Sequence, residues 1–217
     1  MISMKNIFIS LILLIPLFNL NAQGIGELAP PKEPIIFPDN ALGLDVMIGE
    51  SGFGLGTFYR HYLANDFTLF ADFSFSEAKD EREIEYYDYF GQPFVIGKKN
   101  RIFQMPLNIG TQYRLLKDEL TDNLRPYVNI GVGPTLVITT PYEKEYFNAF
   151  GYAKAKIAAG GYIGFGANFG IDQSSLVGIN LRYYYIKFFD NGVEGLAGKY
   201  KQTLQGFFVT LNIGFMY

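Results

Sequence analysis

The 217-residue chain contains no cysteine and a single histidine, His61. Without cysteine there is no disulfide, no thiolate metal ligand and no lipid anchor of the kind carried on a mature N-terminal cysteine. Most acid–base and nucleophilic hydrolase sites rest on histidine, and no phosphate loop, metal-ligand cluster or paired-carboxylate motif stands beside the one present. No catalytic residue, metal or cofactor is therefore expected. Charged residues make up 18% of the chain at a net charge of −3, with no basic stripe or helix, which argues against nucleic acid as a partner. Past the N-terminus no apolar run reaches the about 20 residues that a membrane-crossing helix needs.

At the N-terminus there is such a run, but a short one. Lys5 precedes apolar Ile7 to Leu20, and Asn21-Ala22 follows. Its length is that of a signal-peptide core rather than a spanning helix. Residues 1–22 read as a signal peptide cleaved after about Ala22, and losing Lys5 makes the mature chain one unit more acidic. Residues 23–40 hold Pro30, Pro31, Pro34 and Pro38 and read as an extended periplasmic lead or rim-hugging segment. Residues 41–217 carry the fold. Aromatics at 17% and 24 glycines suit strands that bend and end at lipid interfaces.

The clearest pattern closes the chain. Phe207, Val209, Leu211, Ile213, Phe215 and Tyr217 alternate with Phe208, Thr210, Asn212, Gly214 and Met216. This period of two describes a strand whose faces meet different surroundings. Seven earlier segments repeat it: Leu42 to Ile48, Phe53 to Tyr62, Phe67 to Ser76, Phe103 to Arg114, Tyr127 to Ile138, about Lys154 to Phe169, and Val177 to Tyr185. Both termini fall on one side. Connections after the third, fifth and seventh segments are long and rich in charge and aromatics; those after the second and sixth are short.

Alternation alone fits a soluble lipocalin-like barrel as well, with its apolar face turned inward. Three arginines and five asparagines on the other face would be costly to desolvate there, and segments of about 9–11 residues suit a bilayer. The reading is all-β: an eight-stranded antiparallel transmembrane barrel of up-and-down order. The terminal aromatic strand and the openings Met105-Pro106-Leu107-Asn108-Ile109-Gly110 and Arg125-Pro126-Tyr127-Val128-Asn129-Ile130-Gly131 resemble the small OmpA/OmpX-type outer-membrane barrels, including uncharacterised outer membrane protein β-barrel families. That resemblance covers about residues 41–217. It implies export to the outer membrane of a Gram-negative-type cell, contact with lipid and the barrel assembly machinery, and a C-terminal strand that serves as the assembly signal.

Two regions are candidate sites. Asp45, Arg60, Asp72, Arg114 and Arg182 share inward parity near the termini end of their strands, with Asn129, Asn168, Asn180 and Asn212 at similar depth. An eight-stranded barrel is only wide enough to be filled by its own side chains, so this layer is expected to be a plug. A gated, anion-preferring path is the alternative. The second region is the long connection after the third segment. Its arms, Phe67 to Phe90 and Pro93 to Leu116, are nearly equal about Gly91-Gln92 and are expected to form a projecting ribbon. The ribbon would offer Glu83, Glu85, Tyr86, Tyr87, Asp88 and Tyr89 to a protein or cell-surface ligand, with Tyr142 and Tyr146 of a later loop beside them. The expected role is structural and interactive, in a monomer. A narrow channel is the second reading, and a lipid-modifying enzyme a third.

Overall fold

A computed structural model describes residues 37–50, 52–64, 66–117, 119–120, 124–170 and 174–217. The expected signal peptide and residues 23–36 of the lead lie outside them. In chain order the strands are β1 (Asn40–Gly49), β2 (Gly52–Tyr62), β3 (Phe67–Ala78), β4 (Glu85–Tyr87), β5 (Pro93–Val95), β6 (Asn100–Arg114), β7 (Leu124–Pro141), β8 (Lys154–Phe169), β9 (Ser175–Lys187), β10 (Val193–Leu196), β11 (Lys199–Lys201) and β12 (Thr203–Met216).

Eight of these close into a barrel in the order β1-β12-β9-β8-β7-β6-β3-β2, while β4-β5 and β10-β11 form two separate hairpins. Closure runs through β1 and β12, antiparallel from Ala41↔Met216 to Gly49↔Phe208. Asn40 and Tyr217 exchange both backbone hydrogen bonds, Asn40 N–H to Tyr217 O at 3.2 Å and Tyr217 N–H to Asn40 O at 2.9 Å. A closed barrel has no unpaired edge, so each backbone group of the wall finds its partner within the chain.

The period of two decides which side chains face out. Leu44 is 64% exposed and Ile109 67% exposed, and Leu55, Val132, Ile163 and Leu181 are exposed in the same manner around the wall. All six outward residues of the last strand, Phe207, Val209, Leu211, Ile213, Phe215 and Tyr217, are exposed apolar or aromatic groups. An apolar band of this extent is unstable in water and matches the hydrocarbon of a bilayer. The eight barrel strands run from 10 to 18 residues, enough for a tilted crossing. The fold is a transmembrane β-barrel.

The opposite parity fills the lumen in layers. At the end where β1 begins and β12 ends, the termini end, Ala41, Phe58, Leu176 and Met216 cluster, with Phe37 and Tyr62 against them. Met47, Phe70, Tyr162, Tyr184 and Phe208 form an aromatic cluster. Ala78, Ile102, Val137, Ala158, Ile186, Phe188, Val193 and Leu204 form the apolar cluster at the loop end. Rings this large fit because glycines sit opposite one another in the wall beneath them. Gly43 pairs with Gly214 and Gly110 with Gly131. A Cβ on Gly43 would lie 2.5 Å from Phe58 Cζ, and one on Gly110 would lie 2.5 Å from Phe70 Cζ, inside van der Waals contact.

The long connections depart from the sequence expectation. The two arms about Gly91-Gln92 do not make one ribbon, since the barrel strands stop at Ala78 and resume at Asn100. Between them stands only the short hairpin β4–β5, turning where Gly91 takes a φ of +75°. The ribbon is interrupted because Asp80 draws the chain into a local turn: it accepts from Arg82 N–H at 3.1 Å and Arg82 Nη2 at 2.6 Å. The hairpin β10–β11, absent from the sequence reading, docks on the same region. Ala197 N–H donates to Gly97 O at 2.8 Å, Lys99 N–H to Gly195 O at 2.8 Å, and Tyr142 N–H to Lys99 O at 2.9 Å. These backbone bonds tie three loops into one cap.

Candidate functional site

The inward carboxylates and arginines come from neighbouring or facing strands, and pairing register sets their depth. Asp45 on β1 lies opposite Asn212 on β12, and Thr210, two residues along β12, lies opposite Asn180 on β9. Asp72 on β3 lies opposite Asn108 on β6. Arg182 reaches across the lumen and takes both acids, with Nη2 2.8 Å from Asp45 Oδ2 and Nη1 4.0 Å from Asp72 Oδ2. Each carboxylate also accepts from neutral donors, while Asp45 Oδ2 meets Arg182 alone. Asp72 accepts from Asn108 Nδ2 at 2.9 Å and from Tyr162 Oη at 2.6 Å. Asp45 accepts from Asn212 Nδ2, and Asn212 Oδ1 accepts from Tyr127 Oη at 3.3 Å. Arg182 also lies 4.9 Å from the centre of the Tyr162 ring. Within a lipid-embedded barrel such charges persist because they are paired and hydrogen-bonded.

Most of the inward set named from the sequence lies in or beside this network. Asp45, Arg60, Asp72, Asn129, Asn168, Asn180, Arg182 and Asn212 are all buried. Arg60 donates to Asn168 Oδ1 at 3.1 Å and sits 4.3 Å over the Phe58 ring. Arg114 is the correction. It is half-buried at the termini rim and donates to Leu120 O of the β6–β7 turn at 2.9 Å, because it is the last residue of its strand. The buried arginine of that neighbourhood is Arg125, 5% exposed, with its guanidinium 3.7 Å from the Phe37 ring centre. Its parity with Tyr127 and Asn129 was the signal that would have revealed it; Pro126 hid it by making the stretch read as a strand opening.

At the loop end the acidic candidates are engaged by the chain itself. Glu83 pairs with Lys98 at 2.7 Å and Glu85 with Lys79 at 2.5 Å. Asp88 accepts from the backbone N–H groups of Phe90 and Gln92, both at 2.8 Å, and so holds its own turn. Charge-assisted bonds hold several cap carboxyls below the usual carboxylate range: Arg82 acts on Asp80, and Lys99 on Glu194. Glu83, Glu85 and Asp88 therefore serve the cap's own structure.

The aromatic candidates divide. Tyr142 lies 4.8 Å from Arg101 and 5.2 Å from Lys98 in cation–π contact. Tyr146 packs edge-on against Phe103 at 6.2 Å, and Phe150 stacks on the same ring at 5.5 Å. Phe103 has outward parity as expected, yet this loop covers it and it is buried. Tyr86 packs at a tilt against Phe94, ring centres 5.9 Å apart, and is partly covered by it. Tyr87, Tyr89 and Phe90 remain, at 68%, 97% and 84% exposure. Among the described residues, Tyr89 and Phe90 touch only each other among aromatic rings, edge-on at 5.6 Å. His61 faces outward at the termini rim, with Nδ1 2.9 Å from Asn40 Oδ1.

No family model matches the chain, and no curated protein matches it in sequence. Its fold is similar to that of Neisserial surface protein A, at 9% identity and a TM-score of 0.50, over 82% of this chain and 94% of that one. The N-terminal β-barrel domain of Pseudomonas aeruginosa OprF aligns at 14% identity and a TM-score of 0.46, over 82% and 97%. The Yersinia pestis attachment invasion locus protein Ail aligns at 12% identity and a TM-score of 0.43, over 83% and 99%. At such identities the likeness is one of fold.

Proposed function

We propose that this chain is a monomeric outer-membrane barrel with a closed lumen, and that it acts by presenting the β4–β5 hairpin to a protein or cell surface. The outer membrane follows from a closed barrel with an apolar band, the expected signal peptide and the similarity in fold to Neisserial surface protein A. Export places the termini end in the periplasm and the loop cap outside. The C-terminal strand, Phe207 to Tyr217, is the segment that the assembly machinery would receive.

One observation carries the interactive role. The cap spends its charges on itself, while Tyr87, Tyr89 and Phe90 stand uncovered on a hairpin whose base is fastened by backbone bonds. A rigid hairpin loses little entropy on docking, and tyrosine brings contact area with few rotatable bonds. Aromatic anchors of this sort commonly carry most of an interface's energy.

The test is attachment of cells that display the chain to a panel of protein-coated and cellular surfaces. Against cells lacking the chain, attachment should rise on at least one surface. The variant Tyr87→Ser/Tyr89→Ser/Phe90→Ser should lower that attachment by about tenfold or more while reaching the membrane in equal amount. Equal attachment by the variant would reject the hairpin as the contact.

A further inference from the structure

Charge in the lumen does not balance locally. Three buried guanidinium groups, Arg60, Arg125 and Arg182, face two buried carboxylates, Asp45 and Asp72, and both carboxylates engage Arg182. Among the described residues no carboxylate lies in salt-bridge contact with Arg60 or Arg125. Arg60 has the Asn168 amide and two rings, Phe58 and Tyr127, around it, and Asp45 acts on it only at longer range than a salt bridge. Arg125 has the Phe37 ring on one face and Met216 Sδ 4.0 Å from Nη2. Tyr62 packs with Phe37 against the same Met216 cluster, and Asn168, which accepts from Arg60, lies opposite Arg125 in the wall.

The donors of this group point to a ligand. Arg125 Nε, Arg114 Nε and Tyr62 Oη are all buried, and none has a hydrogen-bond partner. Arginine does not shed its proton, and its planar fork matches the two oxygens of a phosphate or carboxylate. A buried, unpaired guanidinium is costly, and three donors with no acceptor add to that cost. An oxyanion removes both penalties together. Asn40 pairs with Tyr217 at the same end of the barrel, and the Phe37 ring covers one face of Arg125 there.

We propose that Arg125, Arg60, Arg114 and Tyr62 form an oxyanion site in the termini-end mouth of the barrel, for a phosphate group or a carboxylate from the surrounding solution. The site is a dead end rather than a path, because the Arg182 network and the aromatic and apolar clusters occupy the lumen beyond it. It is separate from the hairpin and does not depend on the interactive role proposed above.

The experiment is calorimetric titration of inorganic phosphate, and separately of acetate, into the folded full-length barrel in detergent, with chloride at matched ionic strength as the blank. Saturable binding of phosphate or acetate by the unaltered chain is expected. Arg125→Gln should weaken it by about tenfold or more, and Tyr62→Phe by about tenfold; Lys156→Gln, at the loop cap, should leave it unchanged. Heat-dependent gel mobility shows which variants are folded, and Tyr62→Phe decides the matter if Arg125→Gln does not fold. Absence of saturable heat with both anions would overturn the proposal. So would folded variants that bind as tightly as the unaltered chain, or a loss equally large in Lys156→Gln.

Discussion

Replacing Arg182 with methionine should destabilise the barrel by about 3–5 kcal/mol, the cost of stranding a buried charge by deleting its partner. Arg182 is the counter-ion of both Asp45 and Asp72, at 2.8 Å and 4.0 Å, and both acids are buried. Methionine keeps much of the side chain's volume, so the loss is one of charge rather than of packing. The origin of the effect can be isolated. Adding Asp45→Asn and Asp72→Asn removes the two stranded charges, and the triple variant should recover most of the lost stability. Urea unfolding in lipid vesicles, followed by gel mobility, measures both. A single variant as stable as the parent would mean that water reaches these acids. A triple variant no better than the single would mean that Arg182 acts through packing.

Phe188→Ala should cost about 3–5 kcal/mol, the usual loss for a truncated core aromatic, while its neighbour Phe189→Ala should change stability by no more than about 0.5 kcal/mol. Phe188 is 3% exposed and packs in the loop-end cluster with Ile102, Val137, Ile186 and Val193; Phe189 is 82% exposed. The Phe188 backbone N–H bonds to Gln202 O at 2.9 Å, a contact that alanine retains. The difference between the two variants therefore reports the side chain alone. Unfolding midpoints of the pair measure it, and equal midpoints would show that the loop-end cluster contributes little to the fold.

The wall of the barrel was legible because a strand's period is two and its two faces here meet lipid and lumen. Even the Gly/Ala-rich stretch Lys154–Phe169 took its expected place, since Ile163, Phe165 and Phe169 kept the outward parity. Parity gives the face of a residue but neither its depth nor its partner. Arg114 and Arg125 both have inward parity, and only the strand ends show that one belongs to the rim and the other to the interior. That Arg182 gathers both acids depends on register across strands distant in sequence, for which alternation carries no signal. The cap was least legible. Its hairpin at Val193 to Lys201 is marked locally by Gly198, which takes a φ of +71° in the turn, but its docking on Gly97 and Lys99 is a tertiary event. The same holds for Phe103, whose outward facing was plain and whose cover by Tyr146 and Phe150 was not.

A closed lumen is the claim on which the rest depends, and single-channel recording tests it most directly. The folded full-length chain, reconstituted in a planar bilayer and shown to be folded by its gel mobility, should give no discrete conductance steps, and Arg182→Met, Asp45→Asn and Asp72→Asn should be equally silent. Resolved steps in the unaltered chain, changed in size or ion preference by Arg182→Met, would contradict the closed lumen and make this barrel a narrow channel.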